Sequence, residues 1–407
     1  MISSFENQDQ VLSTAFSILH AAIAQRVFPG ASVAVLHSGN LVALKAFGKF
    51  VYDEDLEDVP LLPDAGKNGC FEVSSGTLFD LASLTKAVAT TTVAAMLYER
   101  GLLELDAPVV GTVPEFLHDR SGDPDPRRGE VTFRMLLAHS SGLPAYEKLF
   151  LRTRTREELL QAAFTTPLSA DPTTHAEYSD IGFITLGIAL ERIAGESFDA
   201  FCQREIFGPL AMMHTTFNPP AIARHQIPPT ADERETPERR KDCAEQSATS
   251  SQPIESQKPR STFRRRIIQG EVQDENAFIL GGVAGHAGLF STVEDLARFA
   301  HAMIQGGRPI LRPETVALFT RRESAPAGTS RALGWDTPAA PSQSGKYFGP
   351  KSFGHLGYTG TSLWIDHDRQ FAIVLLTNRT WPNCTNQFIK TIRPRFHDAV
   401  VEALQKT

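Results

Sequence analysis

The sequence lacks the features that mark several large classes of protein. No run among its 407 residues approaches the roughly 18 apolar residues that a membrane-spanning helix needs. The formal net charge is −7, so the composition gives no electrostatic support for nucleic-acid binding. The four cysteines (Cys70, Cys202, Cys243 and Cys384) form no CxxC pair, which argues against zinc and favours reduced thiols.

Three further absences exclude other kinds of protein and of functional site. The start, MISSFENQDQ, has neither a basic region nor an apolar region of the signal-peptide type, so we expect a cytoplasmic protein that acts away from the cell wall and from membranes. The glycine-rich GGVAGHAG (281–288) does not end in Gly-Lys-Ser/Thr, so it predicts no nucleotide site, and we interpret its His286 as a loop or wall residue. A G-x-S-x-G nucleophile elbow is also missing.

The patterning predicts an α/β (α+β) fold with one antiparallel sheet made from both ends of the chain. SVAVLHSGNLVALKAFG (32–48) and GTSLWIDHDRQFAIVLLTN (360–378) each indicate a β-hairpin. Helical spacing or capping residues predict four helices, at 9–26, at 82–100, from a Ser291–Glu294 capping box to about 305, and at about 394–405.

The same patterning suggests how a single catalytic unit, 1–407, is organised. We expect a sheet-plus-helix region formed by residues 1–109 and 276–407. A mainly helical region, 110–275, is expected to be inserted between these two parts. Within the insertion, 231–266 is rich in Glu, Arg, Ser, Gln and Pro, so it cannot bury enough apolar surface to fold, and we expect a flexible surface segment.

The clearest chemical pattern lies in FDLASLTKAVATTTVAAMLYERG (79–101). Between Asp80 and Glu99 this run has one charged residue, Lys86, three positions after Ser83 and on the same helical face. Desolvation lowers the pKa of a lysine, so a buried Lys86 is expected to remove the proton of the Ser83 hydroxyl. The alternative is a chance Ser-x-x-Lys match whose lysine extends to the surface.

Two other stretches carry candidate polar groups. In EYSDIGF (177–183), Tyr178 is a candidate for sharing proton transfer with Lys86, or Asp180 simply caps a helix on which Tyr178 packs. In FGHLGYTGTSLWID (353–366), glycines at 354, 357 and 360 allow close approach of a substrate beside His355, or they form a tight loop.

In this order the three patterns resemble the serine β-lactamase and penicillin-binding-protein superfamily, whose motifs are Ser-x-x-Lys, Tyr- or Ser-x-Asn and Lys-Thr-Gly. The tyrosine version is similar to class C β-lactamases, DD-peptidases and β-lactamase-like (family VIII type) esterases. Four further stretches are similar, and together the resemblance spans nearly the whole chain apart from 231–266: PGASVAVLHSG (29–39), LLAHSSGLP (136–144), GGVAGHAGLFST (281–292) and GYTGTSLWID (357–366).

The resemblance implies a β-lactamase/transpeptidase-like fold and a set of roles. Ser83 would be the acylated nucleophile, Lys86 its general base and Tyr178 part of the proton relay. The backbone N–H groups of Ser83 and Tyr358 would form the oxyanion hole, with His355-Leu356-Gly357 on the strand of the third motif. No metal or organic cofactor is implied.

Two departures from the family motifs favour one substrate class. Asp180 replaces the usual Asn, and His355 replaces a lysine that suits a substrate carboxylate. Lys351 is a weaker candidate to supply that charge. We therefore expect a serine hydrolase for a small ester or amide and favour a β-lactamase-like esterase, with a β-lactamase or a D-aminopeptidase/DD-carboxypeptidase as alternatives. A non-catalytic binding protein of the same fold is the alternative of another class.

Overall fold

The centre of the fold is a five-stranded antiparallel sheet to which both ends of the chain contribute. The computed structural model describes residues 7–55, 59, 72–234 and 263–405. The strands of the described chain are β1 Gly30–His37, β2 Asn40–Gly48, β3 Phe79–Asp80, β4 Thr216–Phe217, β5 Ala231–Asp232, β6 Ile267–Ile268, β7 Leu289–Ser291, β8 Phe353–Leu356, β9 Ser362–Asp366 and β10 Phe371–Thr377. The strand order of the central sheet is β2-β1-β10-β9-β8.

Both predicted hairpins are confirmed. Strands β1 and β2 meet at a two-residue turn of Ser38 and Gly39, where both residues have positive φ, as the right-handed twist of a tight hairpin favours. Strands β9 and β10 pair from Asp366 opposite Phe371. Strand β1 also pairs antiparallel with β10, so the two hairpins join into one sheet, as predicted.

Helices cover both faces of this sheet. The α-helices are α1 Gln8–Val11, α2 Ser13–Ala24, α3 Thr92–Glu99, α4 Phe133–Leu137, α5 Arg156–Phe164, α6 Asp180–Ala194, α7 Phe198–Cys202, α8 Glu275–Ile279, α9 Val293–Ile304, α10 Pro313–Thr320 and α11 Ile389–Leu404. Helices α2 and α11 pack with one face of the sheet in one hydrophobic core, and α9 packs on the other face in a second core. Because both faces are covered, β1 and β10 are almost wholly buried.

Shorter helical turns complete the described secondary structure. Single 3₁₀ turns span Asp53–Asp55, Val109–Gly111, Pro114–Leu117, Pro126–Glu130, Leu149–Leu151 and Ala221–Gln226, and π-helical segments span Lys86–Thr91 and Gln203–Phe207. A small sheet of order β3-β7-β4 joins the segment before Ser83 to the glycine-rich loop. The division into a sheet region and an inserted helical region stays a prediction.

Three predicted helices differ in their bounds. The first is two helices, α1 and α2, separated at Leu12, and the segment 82–100 begins with tight turns and a π-helix before α3. The last begins at Ile389, so Pro394 lies inside it. Proline leaves the carbonyl four residues earlier without its helical donor, and the side chain of Gln343 donates to that Lys390 oxygen at 3.0 Å instead.

The predicted capping box is displaced by one residue. Thr292 caps α9, its hydroxyl accepting from the N–H of Asp295, because the helix begins one position later than expected. Glu294 instead accepts a hydrogen bond from Ser75 at 2.6 Å. The predicted helix itself is confirmed, with its end at Ile304.

The predicted flexible segment, 231–266, is folded at both of its edges. Strands β5 and β6 pair, and a buried salt bridge joins Arg264 to Glu233 at 2.8 Å, with side chains 2% and 5% exposed. The expected bounds were therefore wrong, because short paired edges carry no periodic pattern in the sequence. Residues 235–262 lie outside the described residues, as do Cys70 and Cys243.

Breaking this buried salt bridge is expected to cost more stability than breaking an exposed one. Glu233→Ala would leave the Arg264 guanidinium buried without its carboxylate, lowering the free energy of unfolding by about 3 kcal/mol. The control Glu271→Ala removes the partner of Arg266, whose side chain is 53% exposed, and should cost less than about 1 kcal/mol. Urea unfolding of both variants measures the difference, and an equal loss of free energy of unfolding in the two variants would contradict the prediction.

Candidate active site

Ser83 and Lys86 lie on consecutive tight turns that follow strand β3. The N–H groups of residues 84–86 each donate to the carbonyl three residues earlier, and the π-helix begins at Lys86. Ala82 has a φ of 47°, an uncommon conformation for a residue with a side chain and one that often occurs at functional sites. Ser83 is partly exposed, whereas Lys86 is fully buried. The Lys86 Nζ donates to the Ser83 Oγ at 2.9 Å.

Three oxygen atoms surround the buried Lys86 nitrogen. Besides the Ser83 hydroxyl, they are the carboxylate of Asp180 at 2.7 Å and the backbone carbonyl of His286 at 3.0 Å. The rings of Tyr178 and Phe183 lie 4.8 and 5.6 Å from the nitrogen. The ammonium group donates hydrogen bonds to the Ser83 and His286 oxygens, and the Asp180 carboxylate supplies the opposite charge as an ion pair.

The expected lowering of the Lys86 pKa was wrong. Burial does act to lower the pKa, but the charge of Asp180 and the contact with Tyr178 outweigh it, and the pKa of Lys86 is raised above its ordinary value. The neighbours of Lys86 along the chain are apolar, and the opposite charge comes from Asp180 on a distant segment. Lys86 is therefore an ammonium ion at neutral pH in the resting site.

Tyr178 reaches the pair from the start of helix α6. Ser179 caps that helix, accepting from the N–H of Gly182 at 3.0 Å and donating to Pro144 O at 2.7 Å, so the alternative of Asp180 as the cap is wrong. Burial and Asp180 raise the pKa of Tyr178, while Lys86 lowers it through its charge. Interactions of the Tyr178 hydroxyl with Lys86 and Ser83 also act to lower its pKa, so the phenol is placed to pass a proton between them.

Sequence reasoning missed His139 and Arg331. The ring of His139 packs at 4.6 Å on Tyr178, and its Nδ1 accepts from the Ser179 N–H at 3.0 Å. The Arg331 guanidinium lies 5.3 Å from the centre of the Tyr178 ring and is paired with Asp336. His139 belongs to LLAHSSGLP, which was noted only for resemblance, and nothing near Arg331 suggested a role.

His355 is placed beside the pair by strand β8. Its ring lies 5.9 Å from that of Tyr178, and its Nδ1–H donates to Leu356 O at 2.8 Å. The Nε2 atom is consequently the acceptor of the ring, and it is buried without a hydrogen-bond partner in the described chain. Burial, Lys86 and Arg331 lower the pKa of His355 to about 3, so the ring is neutral at physiological pH.

The loop after His355 is fastened to the segment before Ser83. Thr359 donates to Asp80 O at 2.7 Å, and Thr361 donates to Leu81 O at 3.0 Å. Gly357 has no room for a side chain, since a Cβ there would lie 2.4 Å from Leu81 O. This fastening places the predicted oxyanion residue, Tyr358, in the loop next to the serine turn.

The glycine-rich loop forms the facing wall. Gly285 lies against helix α6, where a Cβ would come within 2.3 Å of Phe183 O, and its own carbonyl accepts from Thr90 at 2.6 Å. The next residue, His286, lines the cavity as expected for a wall residue, with Nε2–H donating to Asp274 at 2.9 Å. Sequence reasoning missed that its carbonyl holds Lys86.

These walls enclose a cavity of about 670 Å³ that contains the Ser83 side chain at its surface. Tyr178, Asp180, His355, Gly357 and Tyr358 also line it, so the structure brings together the predicted side chains. Lys351 does not: its side chain is 81% exposed and lies 3.4 Å from Asp368. No group of three metal-ligating side chains occurs in the described ranges.

The family described as Beta-lactamase matches the chain over residues 16–387. The chain belongs to this family. A curated relative named "N-acetylmuramyl-L-alanine amidase" from Bacillus subtilis (strain 168) is 30% identical over 369 residues, which are 86% of this chain and 77% of the relative. A "Putative D-alanyl-D-alanine carboxypeptidase" from Salmonella typhimurium (strain LT2) is 29% identical, covering 86% of this chain and 79% of that one.

Solved structures agree on the fold of this Beta-lactamase-family chain. "EstCE1, a hydrolase with promiscuous acyltransferase activity" superposes with a TM-score of 0.70 and 20% identity, covering 96% of this chain and 99% of that one. The family and its named relatives make the chain a hydrolase of the serine β-lactamase and penicillin-binding-protein type. Among the described residues, no helix is both long and apolar enough to span a bilayer.

We predict that His355 does not titrate in the physiological range. Its pKa of about 3 reflects the cost of burying an imidazolium near Lys86 and Arg331. Side-chain ¹⁵N NMR should therefore show the same neutral ring, with one unprotonated nitrogen, at every pH between 5 and 9. The His355 signal is assigned by its absence from the spectrum of His355→Asn. His20, on the outer surface of α2, serves as the internal comparison. A midpoint near 6.5 for the His355 signal would contradict the prediction.

Proposed function

We propose that the chain is a serine hydrolase that forms an acyl-enzyme on Ser83 and cleaves a small amide or ester. The observation that carries the proposal is the contact of the Ser83 hydroxyl with a buried lysine and a tyrosine at the surface of one cavity. A serine hydroxyl becomes a strong nucleophile only when a neighbouring base takes its proton, and this cluster supplies two candidate bases.

Acylation begins, in this proposal, from the fraction of enzyme whose Lys86 has lost a proton. The neutral amine takes the proton of Ser83, whose oxygen bonds to the substrate carbonyl carbon. The carbonyl oxygen, now negative, accepts from the N–H groups of Ser83 and Tyr358. Tyr178 then donates its proton to the leaving nitrogen or oxygen and regains one from Lys86, while the bond to the leaving group breaks.

Deacylation runs through the same groups in reverse. Tyr178 passes its proton to the neutral Lys86 as it takes one from an incoming water, whose oxygen bonds to the acyl carbon. The bond to Ser83 then breaks, and its oxygen recovers a proton from the Lys86 ammonium. A free acid leaves, and the resting cluster is restored.

For the substrate, we favour an amide of the N-acetylmuramyl-L-alanine type. The relatives that share about 30% identity carry names of amide-cleaving enzymes, whereas the esterase neighbour, at 20% identity, speaks only for the fold. An ester substrate is the second candidate. The neutral His355 favours it, because a lysine at that position would attract a substrate carboxylate.

The decisive experiment combines labelling with turnover. A fluorophosphonate probe should label the wild type but not Ser83→Ala, while Ser121→Ala on the surface keeps full labelling. Release of L-alanine from N-acetylmuramyl-L-alanine should vanish in Ser83→Ala and fall about a hundredfold or more in Lys86→Ala.

Three other outcomes would each favour a different function. Turnover of a p-nitrophenyl ester without amide cleavage would favour the esterase, and faster turnover of a chromogenic cephalosporin would favour a β-lactamase. A folded protein with neither labelling nor turnover would be the binding protein.

Asp180 should set the pH at which the enzyme becomes active. Its carboxylate raises the pKa of Lys86, so the neutral amine that acts as base becomes common only as the pH rises. Asp180→Asn removes this charge and should move the acidic limb of the kcat/KM profile about one pH unit or more toward lower pH. The other titratable or charged groups around Lys86 remain in both proteins: Tyr178, His139, His286, His355 and Arg331.

Glu177→Gln is the control for this shift. It removes an exposed carboxylate from the same segment and should leave the profile in place. An unchanged acidic limb in Asp180→Asn, with activity retained, would show that Asp180 does not govern the protonation of Lys86.

A further inference from the structure

One wall of the cavity is formed by cations from the end of the chain. Arg379 follows strand β10, and Lys390 and Arg393 lie in the first turns of helix α11; all three line the cavity that contains Ser83. Arg379 and Arg393 are only 5% and 4% exposed, whereas Lys390 is exposed. This wall of the cavity therefore contains two buried guanidinium groups and one exposed ammonium group.

These three cations have no carboxylate partner within the described ranges, whereas two other cations of the cavity do. Lys86 is paired with Asp180, and Arg331 with Asp336. A buried charge normally requires a partner of opposite sign, because its removal from water is costly. Burial and the nearby Arg379 lower the pKa of Arg393 to about 9, which reflects the uncompensated charge.

Backbone carbonyls accept hydrogen bonds from only some of the nitrogens of each guanidinium group. Arg393 donates from Nε and Nη2 to carbonyl oxygens of the loop 357–361, the shortest contact being 2.9 Å to Gly357 O. Arg379 donates from Nε to Tyr358 O at 2.7 Å and from Nη1 to two further carbonyls. In the described chain, Arg393 Nη1 and Arg379 Nη2 make no hydrogen bond.

We propose that Arg379, Arg393 and Lys390 form a subsite that binds a carboxylate of the substrate. The subsite adjoins the loop that carries Tyr358, so the carboxylate lies a few bonds from the carbonyl that Ser83 attacks. The flat guanidinium group suits two parallel hydrogen bonds to a carboxylate, and the free nitrogens supply donors for them. This inference rests on the proposed function of Ser83 and names the substrate feature that it requires.

The geometry assigns this role to residues outside the three motifs. In the motif pattern, the cation for a substrate carboxylate stands where this chain has the neutral His355. Arg379, Lys390 and Arg393 provide that charge from other elements, and the two arginines hydrogen-bond carbonyls of the loop 357–361. Tyr358, whose ring stacks under the Arg379 guanidinium at 4.5 Å, borders the subsite with an aromatic surface.

Two matched pairs of esters test the subsite. One pair is 4-nitrophenyl hydrogen adipate and its methyl ester, with the charge on the acyl side. The other is 3-acetoxybenzoate and its methyl ester, with the charge on the leaving group. In at least one pair, kcat/KM for the carboxylate should exceed that for the methyl ester about tenfold or more.

Variants connect this preference to the wall. Arg379→Gln should lower the charged-to-neutral ratio about tenfold, and Lys390→Gln about threefold, because an exposed charge contributes less. The control Lys351→Gln removes an exposed lysine that does not line the cavity, and it should leave the ratio unchanged.

The outcomes separate this inference from the proposed function. Hydrolysis of both methyl esters with ratios near one would overturn the subsite and leave the function of Ser83 standing. Absence of hydrolysis of all four esters, together with absence of fluorophosphonate labelling, would overturn the function itself. If Arg379→Gln disturbs the Tyr358 loop and lowers all rates, Lys390→Gln decides, because no described residue hydrogen-bonds its side-chain nitrogen.

Discussion

The arrangement of the site depends on one buried nitrogen, the Nζ of Lys86. The oxygen atoms around it come from three separate parts of the chain: the turn that contains Ser83, the start of helix α6 at Asp180, and the glycine-rich loop at His286. A fully buried ammonium is tolerated only when its charge and its donors are satisfied. The contacts that stabilise the buried Lys86 ammonium therefore also fix the positions of the polar groups around it.

Neighbouring contacts extend this constraint to the whole cavity. Thr90, in the π-helix that Lys86 begins, holds the glycine-rich loop, and the threonines of the loop 357–361 hold the segment before Ser83. Glycines 285 and 357 stand where a side chain would collide with a backbone carbonyl. Close approach of backbones, rather than side-chain packing, thus aligns the walls with the lysine.

The sequence was informative wherever the chemistry is local. The Ser-x-x-Lys spacing predicted the contact of Ser83 with Lys86, and alternation with turn residues predicted both hairpins. It failed where a distant residue decides the outcome. The pKa direction of Lys86 depends on Asp180, which the sequence places on another element, and two-residue strands such as β5 and β6 are too short to show a period. His139 and Arg331 were missed for the same reason, since only folding brings them to Tyr178.

The substrate preference illustrates this limit most sharply. Replacement of a motif lysine by His355 suggests a loss of positive charge, and at that single position the loss is real. A ligand, however, responds to the summed field of the cavity rather than to one residue. Asp180 contributes little negative field, because Lys86 lies 2.7 Å from it, and the guanidiniums of Arg379 and Arg393 add charge from elements that carry none of the motifs. We therefore infer that the proposed subsite keeps the cavity suited to an anionic substrate even though the usual residue for it is missing.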